Sequence, residues 1–251
     1  MHQIRCAEIW GGSATADLDV CTSGMTASVY STACGGLRGG DIYYLSVCGA
    51  DMLTRVAMAD LRGHGESVSQ LSQFVYDALL DSMSTLDSTC VLSTLNQQVR
   101  SRGFDAITTA AVVSYYRGNS NLYFSNAGHP PVFLKRHDER TWSPLTVRDG
   151  DGPSNLPLGV LSQTRYEQEQ VELAPGDRVF LYTDGVTECP NAQGEFFGEE
   201  RLCEALNAAD GCELLDVKRT VLDGLRQFGG GNLTHDDITF LVAEVSPARR
   251  P

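Results

Sequence analysis

The sequence predicts an α+β fold in which layers of strands pack against layers of helices. Two observations lead to this prediction. Apolar and aromatic segments typical of strands occur in groups, and between the groups lie pairs of segments whose apolar residues recur at helical spacing. Because the 251 residues contain no repeat, low-complexity tract or linker, we expect a single domain over residues 1–251, layered rather than built from a regular βαβ alternation.

The first predicted element is a hairpin within residues 39–65, GGDIYYLSVCGADMLTRVAMADLRGHG. Residues 42–48 and 55–60 are rich in apolar and aromatic side chains, and a turn with glycine and aspartate separates them. The start of the first strand and the end of the second lie side by side in an antiparallel hairpin, so Asp41 and Asp60 are expected to be neighbours. Like charges opposite each other destabilise strand pairing, and something must therefore offset this repulsion.

Four helices are predicted, in two pairs. Residues 66–83 place their apolar side chains on one helical face, and a second helix follows from Ser88, the expected N-cap, to Gly103. The second pair covers about 199–208 and 213–228, where apolar residues again mark one buried face.

Further strands are predicted around and after the helix pairs. The stretch from residue 106 reads as a strand, followed by a turn at 117–121 and one or two further strands interrupted at 128–131. A buried-type strand is expected at 178–183, and the last strand covers Ile238–Val245.

Composition and charge exclude several classes of protein. The net charge of −13 argues against diffuse binding to nucleic acid or to an anionic membrane. No stretch approaches the roughly 20 apolar residues of a membrane span, and the N-terminus lacks a signal-peptide pattern. The eight cysteines are scattered without a C-x-x-C pair, which favours buried, reduced thiols over disulfides or zinc ligands. We therefore expect a cytoplasmic protein that binds neither nucleic acid nor membrane.

Carboxylates recur at the ends of the predicted strands. Asp41 precedes a strand, Asp60 and Asp184 end strands, and Asp236 and Asp237 precede the last one. If these strands are antiparallel neighbours within two sheets, all of these residues meet at one edge of the fold. Their repulsion would then be offset by cations, and Mg²⁺ and Mn²⁺ prefer such oxygen ligands. Taken singly, each aspartate is better explained as ordinary turn chemistry, and it is their joint placement at strand ends that favours a cation site.

Six short motifs occur in an order and spacing that resemble a known family. They are GGD at 39–41, ADLRGHG at 59–65, NAGHPP at 126–131, LPLG at 156–159, GDRVFLYTDGVTE at 176–188 and DDITFLV at 236–242. Together they resemble the metal-dependent PPM (type 2C-like) protein serine/threonine phosphatases, in particular the bacterial branch with the stage II sporulation phosphatase and the regulators of sigma-factor partner switching. The similarity covers residues 34–245.

The resemblance implies a sandwich of two antiparallel sheets flanked by helix pairs, with two divalent cations, Mn²⁺ or Mg²⁺, at one edge. Asp60 would bridge the two cations, and the backbone carbonyl of Leu61 would supply a further ligand. Asp41, from the GGD motif, would act at the same cluster directly or through water.

Three more aspartates complete the implied ligand set. Asp184 and Asp236 match the residues that complete the shell of the first cation, whereas Asp237 occupies a position that varies in the family and ranks below them. The implied reaction is hydrolysis of phosphoserine or phosphothreonine by a hydroxide that bridges the cations, without a phosphoenzyme. This agrees with the lack of a persuasive Cys/His or Ser/His arrangement in the sequence.

The implied substrate is a small phosphorylated bacterial regulatory protein of the anti-sigma-factor antagonist type. Two alternatives stay open: a catalytically weak family member that binds a phosphoprotein, and a hydrolase of small phosphoesters. Retention of the four ligand aspartates favours catalysis, because a binding module does not need clustered charges.

Four other residues are secondary candidates. Arg38 and Arg62 stand beside the aspartates in sequence, and either could hold a phosphate, although an ion pair with an aspartate is favoured for Arg62. His64 is a candidate general acid, but it stands four positions after Asp60, where better-studied relatives have a histidine two positions after, so a local structural role is favoured. His129 is expected to fix a turn rather than bind metal.

The resemblance also bears on regulation. The helix pair over 66–101 can act as a switch in this branch when a regulatory domain or partner docks, although core packing alone also explains its pattern. Only about 35 residues precede the GGD motif. We therefore expect activation by a separate sensor or activating protein, or by formation of a homodimer.

Overall fold

The computed structural model describes residues 2–3, 8–11, 15–34, 39–47, 51–61, 66–81, 85–231 and 233–247. The strands described are β1 (His2–Gln3), β2 (Glu8–Gly11), β3 (Ala16–Cys21), β4 (Met25–Thr32), β5 (Asp41–Val47), β6 (Leu53–Leu61), β7 (Thr108–Tyr116), β8 (Asn121–Ala127), β9 (Phe133–Lys135), β10 (Ser143–Pro144), β11 (Glu169–Glu172), β12 (Arg178–Tyr182) and β13 (Ile238–Val245). The helices described are α1 (Glu66–Asp81), α2 (Ser88–Arg100), α3 (Asp184–Thr187), α4 (Gly198–Ala208) and α5 (Leu214–Phe228).

The described strands form two sheets. One has the order β1-β3-β4-β13-β12-β9-β10 and the other the order β11-β8-β7-β6-β5-β2. Neighbouring strands are antiparallel, apart from the parallel pair β1 and β3. The longest pairing in the first sheet joins β4 to β13, with eight residues of each strand in register.

Three apolar layers hold the sheets and helices together. The first lies between the two sheets and contains alternate residues of both, such as Tyr43, Met58, Leu181 and Leu241. The second packs α1 and α2 on the outer face of the six-stranded sheet, and the third packs α4 and α5 on the outer face of the other sheet. Because side chains alternate between the faces of a strand, long strands such as β5 and β6 contribute to an inner and an outer layer. The predicted two-sheet sandwich flanked by helix pairs is confirmed.

The helices follow the predicted patterns closely. In α5, Leu214, Val217, Val221 and Leu225 are buried, as the helical spacing predicts. The expected N-cap of α2 is wrong by one residue: Asp87, not Ser88, is the cap, and its carboxylate accepts hydrogen bonds from the backbone N–H groups of the first turn. A carboxylate at this position also interacts favourably with the positive end of the helix.

Three other differences separate the prediction from the structure. The sequence pattern does not predict β1–β4, although β4 lies in the middle of its sheet. Thr183 is not the end of a strand but the N-cap of the short helix α3. The described cysteines are free thiols, as predicted, but they are not uniformly buried, since Cys189 is buried and Cys90 is exposed.

In the part of the chain that is described, no helix combines the length and the apolar character needed to cross a lipid bilayer.

Candidate active site

The hairpin of β5 and β6 brings two aspartates together. Asp41 and Asp60 are directly paired across the two strands, and Asp60 is in turn paired with Thr109 on β7. Paired residues point to the same face of a sheet. Their face is that of Tyr43 and Met58, which belong to the layer between the sheets. The three side chains therefore form a row at the edge of the inter-sheet core, and the predicted meeting of Asp41 and Asp60 is confirmed.

The other sheet brings Asp184 and Asp236 to the same edge. Asp184 follows β12 by two residues and Asp236 precedes β13 by two, and these strands are antiparallel neighbours. The end of β12 and the start of β13 therefore lie side by side. Beyond the strands the pairing continues with a hydrogen bond of 2.9 Å from the Thr183 amide to the Thr239 carbonyl oxygen.

The carboxylates of this cluster interact electrostatically. Burial, followed by the charges of Asp184, Asp236, Asp237 and Glu188, raises the pKa of Asp60 to about 7. A carboxylate that is hard to ionise for these reasons lies in a crowded field of like charge. The six-stranded sheet and the loops of the other sheet thus form one electrostatically coupled site.

Two neighbours of Asp60 are affected in the same direction. Burial and then the charge of Asp60 raise the pKa of Asp41 well above its ordinary value. Burial and then the charges of Glu188 and Asp236 raise the pKa of Asp184. Glu188 was not a predicted site residue, yet it follows Asp184 by four positions and its amide donates to the Asp184 carbonyl oxygen at 2.7 Å. Glu188 belongs to the TDGVTE segment, and its place in that motif is the sequence feature that could have identified it as a site residue.

Asp237 braces the GGD segment. Its carboxylate accepts a hydrogen bond of 2.6 Å from the Cys34 amide on one oxygen and a short one from the Gly40 amide on the other. Asp237 is buried, and a Cβ at Gly39 would collide with its carboxylate. This explains why glycine precedes Gly40, and it gives Asp237 a structural task that the sequence does not reveal.

The TDG segment is shaped by the same loop. A Cβ at Gly185 would overlap the backbone oxygen of Asp237, so only glycine permits this approach. The Gly185 carbonyl oxygen lies 2.8 Å from Nε2 of His235. Through these two contacts the loop that carries Asp184 and the loop that carries Asp236 are fixed against each other.

Asp41 is tied to the opposite sheet by a threonine. The Thr183 hydroxyl donates to Oδ2 of Asp41 at 2.7 Å, although the two residues are 142 positions apart. Both side chains are buried. Sequence analysis does not identify Thr183, because the contact depends on how the two sheets pack.

His129 fixes a turn, as predicted. Its amide donates to Oδ1 of Asn126 at 2.8 Å, and its carbonyl oxygen accepts from Nδ2 of the same residue. The ring Nδ1 lies 2.8 Å from the Thr109 hydroxyl, in the row that contains Asp60. Burial lowers the pKa of His129 to about 3, so the imidazole is neutral at physiological pH.

The remaining predicted residues divide into two groups. The Leu61 side chain is buried in the layer against the helices, and its amide donates to the Gly40 carbonyl oxygen at 3.1 Å, which holds the end of β6 beside GGD. Arg38, Arg62 and His64 lie outside the described residues, and their expected roles stay predictions.

The donor chemistry of the cluster fits hard divalent cations. All of its charged groups named above are carboxylates, the oxygen ligands that Mg²⁺ and Mn²⁺ prefer. However, among the described residues no group of three or more His, Cys, Asp or Glu side chains is arranged as a closed metal-ligand set. The carboxylates are close enough to influence each other's ionisation.

Comparison with solved structures places this fold among the PP2C-type phosphatase domains. The chain superimposes on the SiaA-PP2C domain of Pseudomonas aeruginosa with a TM-score of 0.73 at 21% sequence identity, covering 87% of this chain and 85% of that one. It also matches RsbX in complex with magnesium, with a TM-score of 0.68 at 16% identity over 92% of this chain and all of that one.

Sequence comparison then identifies the branch. The model of the Stage II sporulation protein E (SpoIIE) family matches residues 50–246, and the chain belongs to this family. It is 32% identical to Protein IcfG of Synechocystis sp. over 126 residues, 49% of the chain and 18% of the relative. It is 26% identical to Phosphoserine phosphatase RsbU of Bacillus subtilis over 199 residues, 74% of the chain and 54% of the relative. The chain thus spans about half or less of these relatives.

Proposed function

We propose that the protein is a metal-dependent protein serine/threonine phosphatase, and that residues 1–251 form a single phosphatase domain. The observation that carries this proposal is the placement of Asp41, Asp60, Asp184 and Asp236, from two sheets, at one edge of a chain that belongs to the SpoIIE family. The raised pKa of Asp60 supports it, because strongly perturbed carboxylates concentrate at functional sites.

The residues that would hold two divalent cations are these four aspartates together with the Leu61 carbonyl oxygen. Of the structural relatives, RsbX is described in complex with magnesium and a PstP catalytic domain with two manganese ions, which supports Mg²⁺ or Mn²⁺ here. When bound, such cations supply Lewis acidity for the attack of water on a phosphoryl group and neutralise its charge.

The chain itself would orient and shield this chemistry. Asp60 occupies the central position, since it is paired with Asp41 on its own sheet and coupled to Asp184 and Asp236 of the other. Asp237 holds the GGD segment in place through its two backbone hydrogen bonds. The buried apolar layer behind the row of aspartates excludes water from the inner side of the site.

The substrate class follows from family and chemistry. The relative RsbU is named a phosphoserine phosphatase, and an edge site at the surface can accept a phosphorylated side chain on a protein. We propose a phosphoserine or phosphothreonine on a small bacterial regulatory protein, of the anti-sigma-factor antagonist type. Activation would come from a separate sensor or activating protein or from a homodimer.

The proposal is tested by hydrolysis of p-nitrophenyl phosphate and of a phosphoserine peptide. We expect activity with Mn²⁺ or Mg²⁺, none with excess chelator, and a loss of at least about a hundredfold in Asp60→Asn and Asp184→Asn, because removal of one metal ligand weakens the entire site. Asp138→Asn, at an exposed position, removes the same charge elsewhere and should remain active. Activity that persists in chelator would contradict the metal-dependent mechanism.

The alternative is a catalytically weak family member that binds a phosphoprotein without hydrolysing it. This alternative predicts no turnover of any phosphoester at millimolar Mn²⁺, together with retained binding of a phosphoprotein in a pull-down with purified components. Turnover that is lost in Asp60→Asn excludes it.

A further inference from the structure

We infer that Thr183 is a positioning residue for Asp41 in the proposed metal site. Thr183 follows β12 in one sheet, and Asp41 opens β5 in the other, so their hydrogen bond of 2.7 Å joins the two sheets at the site. The inference rests on the proposed function, because it concerns how the carboxylate is presented to a cation.

The hydroxyl of Thr183 is itself fixed by its neighbours. It accepts a hydrogen bond of 3.1 Å from the Thr239 amide, while its single proton can go to Oδ2 of Asp41 at 2.7 Å or to the Thr239 carbonyl oxygen at 3.3 Å. Of these two acceptors the Asp41 carboxylate is the stronger, because it is closer and carries charge when ionised. Because the Thr239 amide occupies one side of the Thr183 hydroxyl oxygen, the O–H bond of the hydroxyl points to another side.

A second hydroxyl pair extends this arrangement into the sheet. The Thr239 hydroxyl lies 2.9 Å from that of Ser31 on β4. Ser31, Thr239 and Thr183 are all completely buried, and Asp41 is 3% exposed. Polar groups so deeply buried are confined to the hydrogen bonds that the protein provides. The orientation of the Asp41 carboxylate is therefore imposed by the opposite sheet, through β4, β13 and the residue that follows β12.

The hydrogen bond from Thr183 fixes the direction in which the other carboxylate oxygen of Asp41, Oδ1, points. With Oδ2 held by Thr183, rotation of the carboxylate is restricted, and Oδ1 keeps one orientation relative to Asp60, the directly paired residue on β6. A threonine suits this task better than a serine, because its branched Cβ limits the rotation of χ1. A site held in advance in this way binds a cation without first having to order its ligand.

A purely structural role is the rival explanation, since the same hydrogen bond also ties the sheets together. The two roles differ in what they affect. A structural tie changes the stability of the metal-free protein, whereas a positioning residue also changes the affinity for a cation in protein that is fully folded. Comparison of hydroxyl-bearing and hydroxyl-free side chains of similar size separates them.

The experiment measures the Kd of Mn²⁺ by titration calorimetry, without substrate, for the parent protein and for Thr183→Val and Thr183→Ser. Thermal unfolding in chelator is recorded for each to ensure that only folded protein is compared. We expect Thr183→Val to weaken Mn²⁺ binding about tenfold, as expected for the loss of a hydrogen bond to a charged group. Thr183→Ser, which keeps the donor, should remain within about threefold of the parent.

Thr54→Val is the matched control. Thr54 is a buried threonine near the opposite end of β6 from Asp60, with its hydroxyl 3.1 Å from that of Thr22. We expect this variant to lose stability without a change in the Kd of Mn²⁺. If Thr183→Val does not fold, Thr183→Cys replaces it, because a thiol fills similar space and is a weak donor, and the same tenfold loss is expected.

The outcomes distinguish this inference from the proposed function. An unchanged Kd in Thr183→Val, or equal losses in Thr183→Val and Thr183→Ser, would overturn the positioning role while parent activity still supports the phosphatase. A parent that binds Mn²⁺ but hydrolyses no phosphoester overturns the phosphatase activity, and the Kd comparison still decides the role of Thr183. A folded parent that binds no Mn²⁺ overturns both.

Discussion

Replacement of Asp60 by asparagine should make the metal-free protein more stable even as it abolishes the proposed activity. Burial and four neighbouring carboxylates raise the pKa of Asp60 from 3.8 to about 7. Because the folded pKa lies above the unfolded one, Asp60 contributes stability that is complete below about pH 4 and is lost as the pH rises through about 7. The asparagine side chain would carry no charge at any pH and would avoid this loss.

The magnitude follows from the same two values. The difference between 3.8 and about 7 corresponds to about 4 kcal/mol at pH 8, which is an upper limit. Neighbouring carboxylates relax and water enters the edge, so we expect about 2 kcal/mol. For a domain of this length that is an increase of about 4–8 °C in Tm. The increase should shrink steadily as the pH is lowered from about 7 towards 4, because Asp60 then becomes protonated in the folded state.

The assay is calorimetric unfolding of the parent and of Asp60→Asn, in chelator, between pH 4.5 and 8. Asp138→Asn, at an exposed position, controls for the loss of one negative charge. Addition of Mn²⁺ should raise the Tm of the parent and leave that of Asp60→Asn nearly unchanged, because a ligand stabilises only a state that binds it. A Tm of Asp60→Asn at pH 8 equal to or below that of the parent would refute the reasoning.

Two further predictions concern the loops that hold the aspartates. Gly185→Ala should lower stability and abolish phosphatase activity, since the added Cβ would overlap the backbone oxygen of Asp237. The control is Gly224→Ala in α5, where the nearest neighbour is 3.7 Å from an added Cβ, and this variant should be neutral or stabilising by up to about 1 kcal/mol. Equal Tm values for the two variants would contradict the steric argument. Asp237→Ala should destabilise the protein by about 1–3 kcal/mol, because the amides of Cys34 and Gly40 lose their acceptor. Chemical denaturation measures this change in the free energy of unfolding. A change below about 0.5 kcal/mol would show that Asp237 does not hold the GGD segment in place.

Much of the fold was predictable because its signals are local. The helices α1, α2, α4 and α5 each carry apolar residues at helical spacing, and β13 is a largely apolar, buried strand. The pairing of Asp41 with Asp60 follows from the geometry of a single hairpin. Strands β1–β4 escape prediction because they are short or mix polar with apolar residues, as in MTASVYST of β4, and the pairing of β4 with β13 joins segments that are distant in sequence.

The site was predictable in part for the same reason. Aspartates at strand ends can be read from the sequence, but their supporting residues act across long separations. The partners of Asp237 lie 203 and 197 positions away, and no local pattern shows that its two oxygens are occupied by backbone amides. Asp87 as the cap of α2 is a smaller instance, since both Asp87 and Ser88 are acceptable caps and the choice depends on backbone geometry.

The pairing of β4 with β13 has a consequence for folding of the protein during its synthesis on the ribosome. Synthesis proceeds at roughly 5–20 residues per second, and Asp237 follows Gly40 by 197 positions. Asp237 is therefore added about 10–40 s after the GGD segment that it braces. During that interval one edge of β4 is unpaired and open to wrong partners. Folding dominated by such distant contacts is slow, and the site can form only when the chain from β4 to β13 has been synthesised. A nascent chain therefore lacks the complete group of aspartates until its synthesis has passed Asp236.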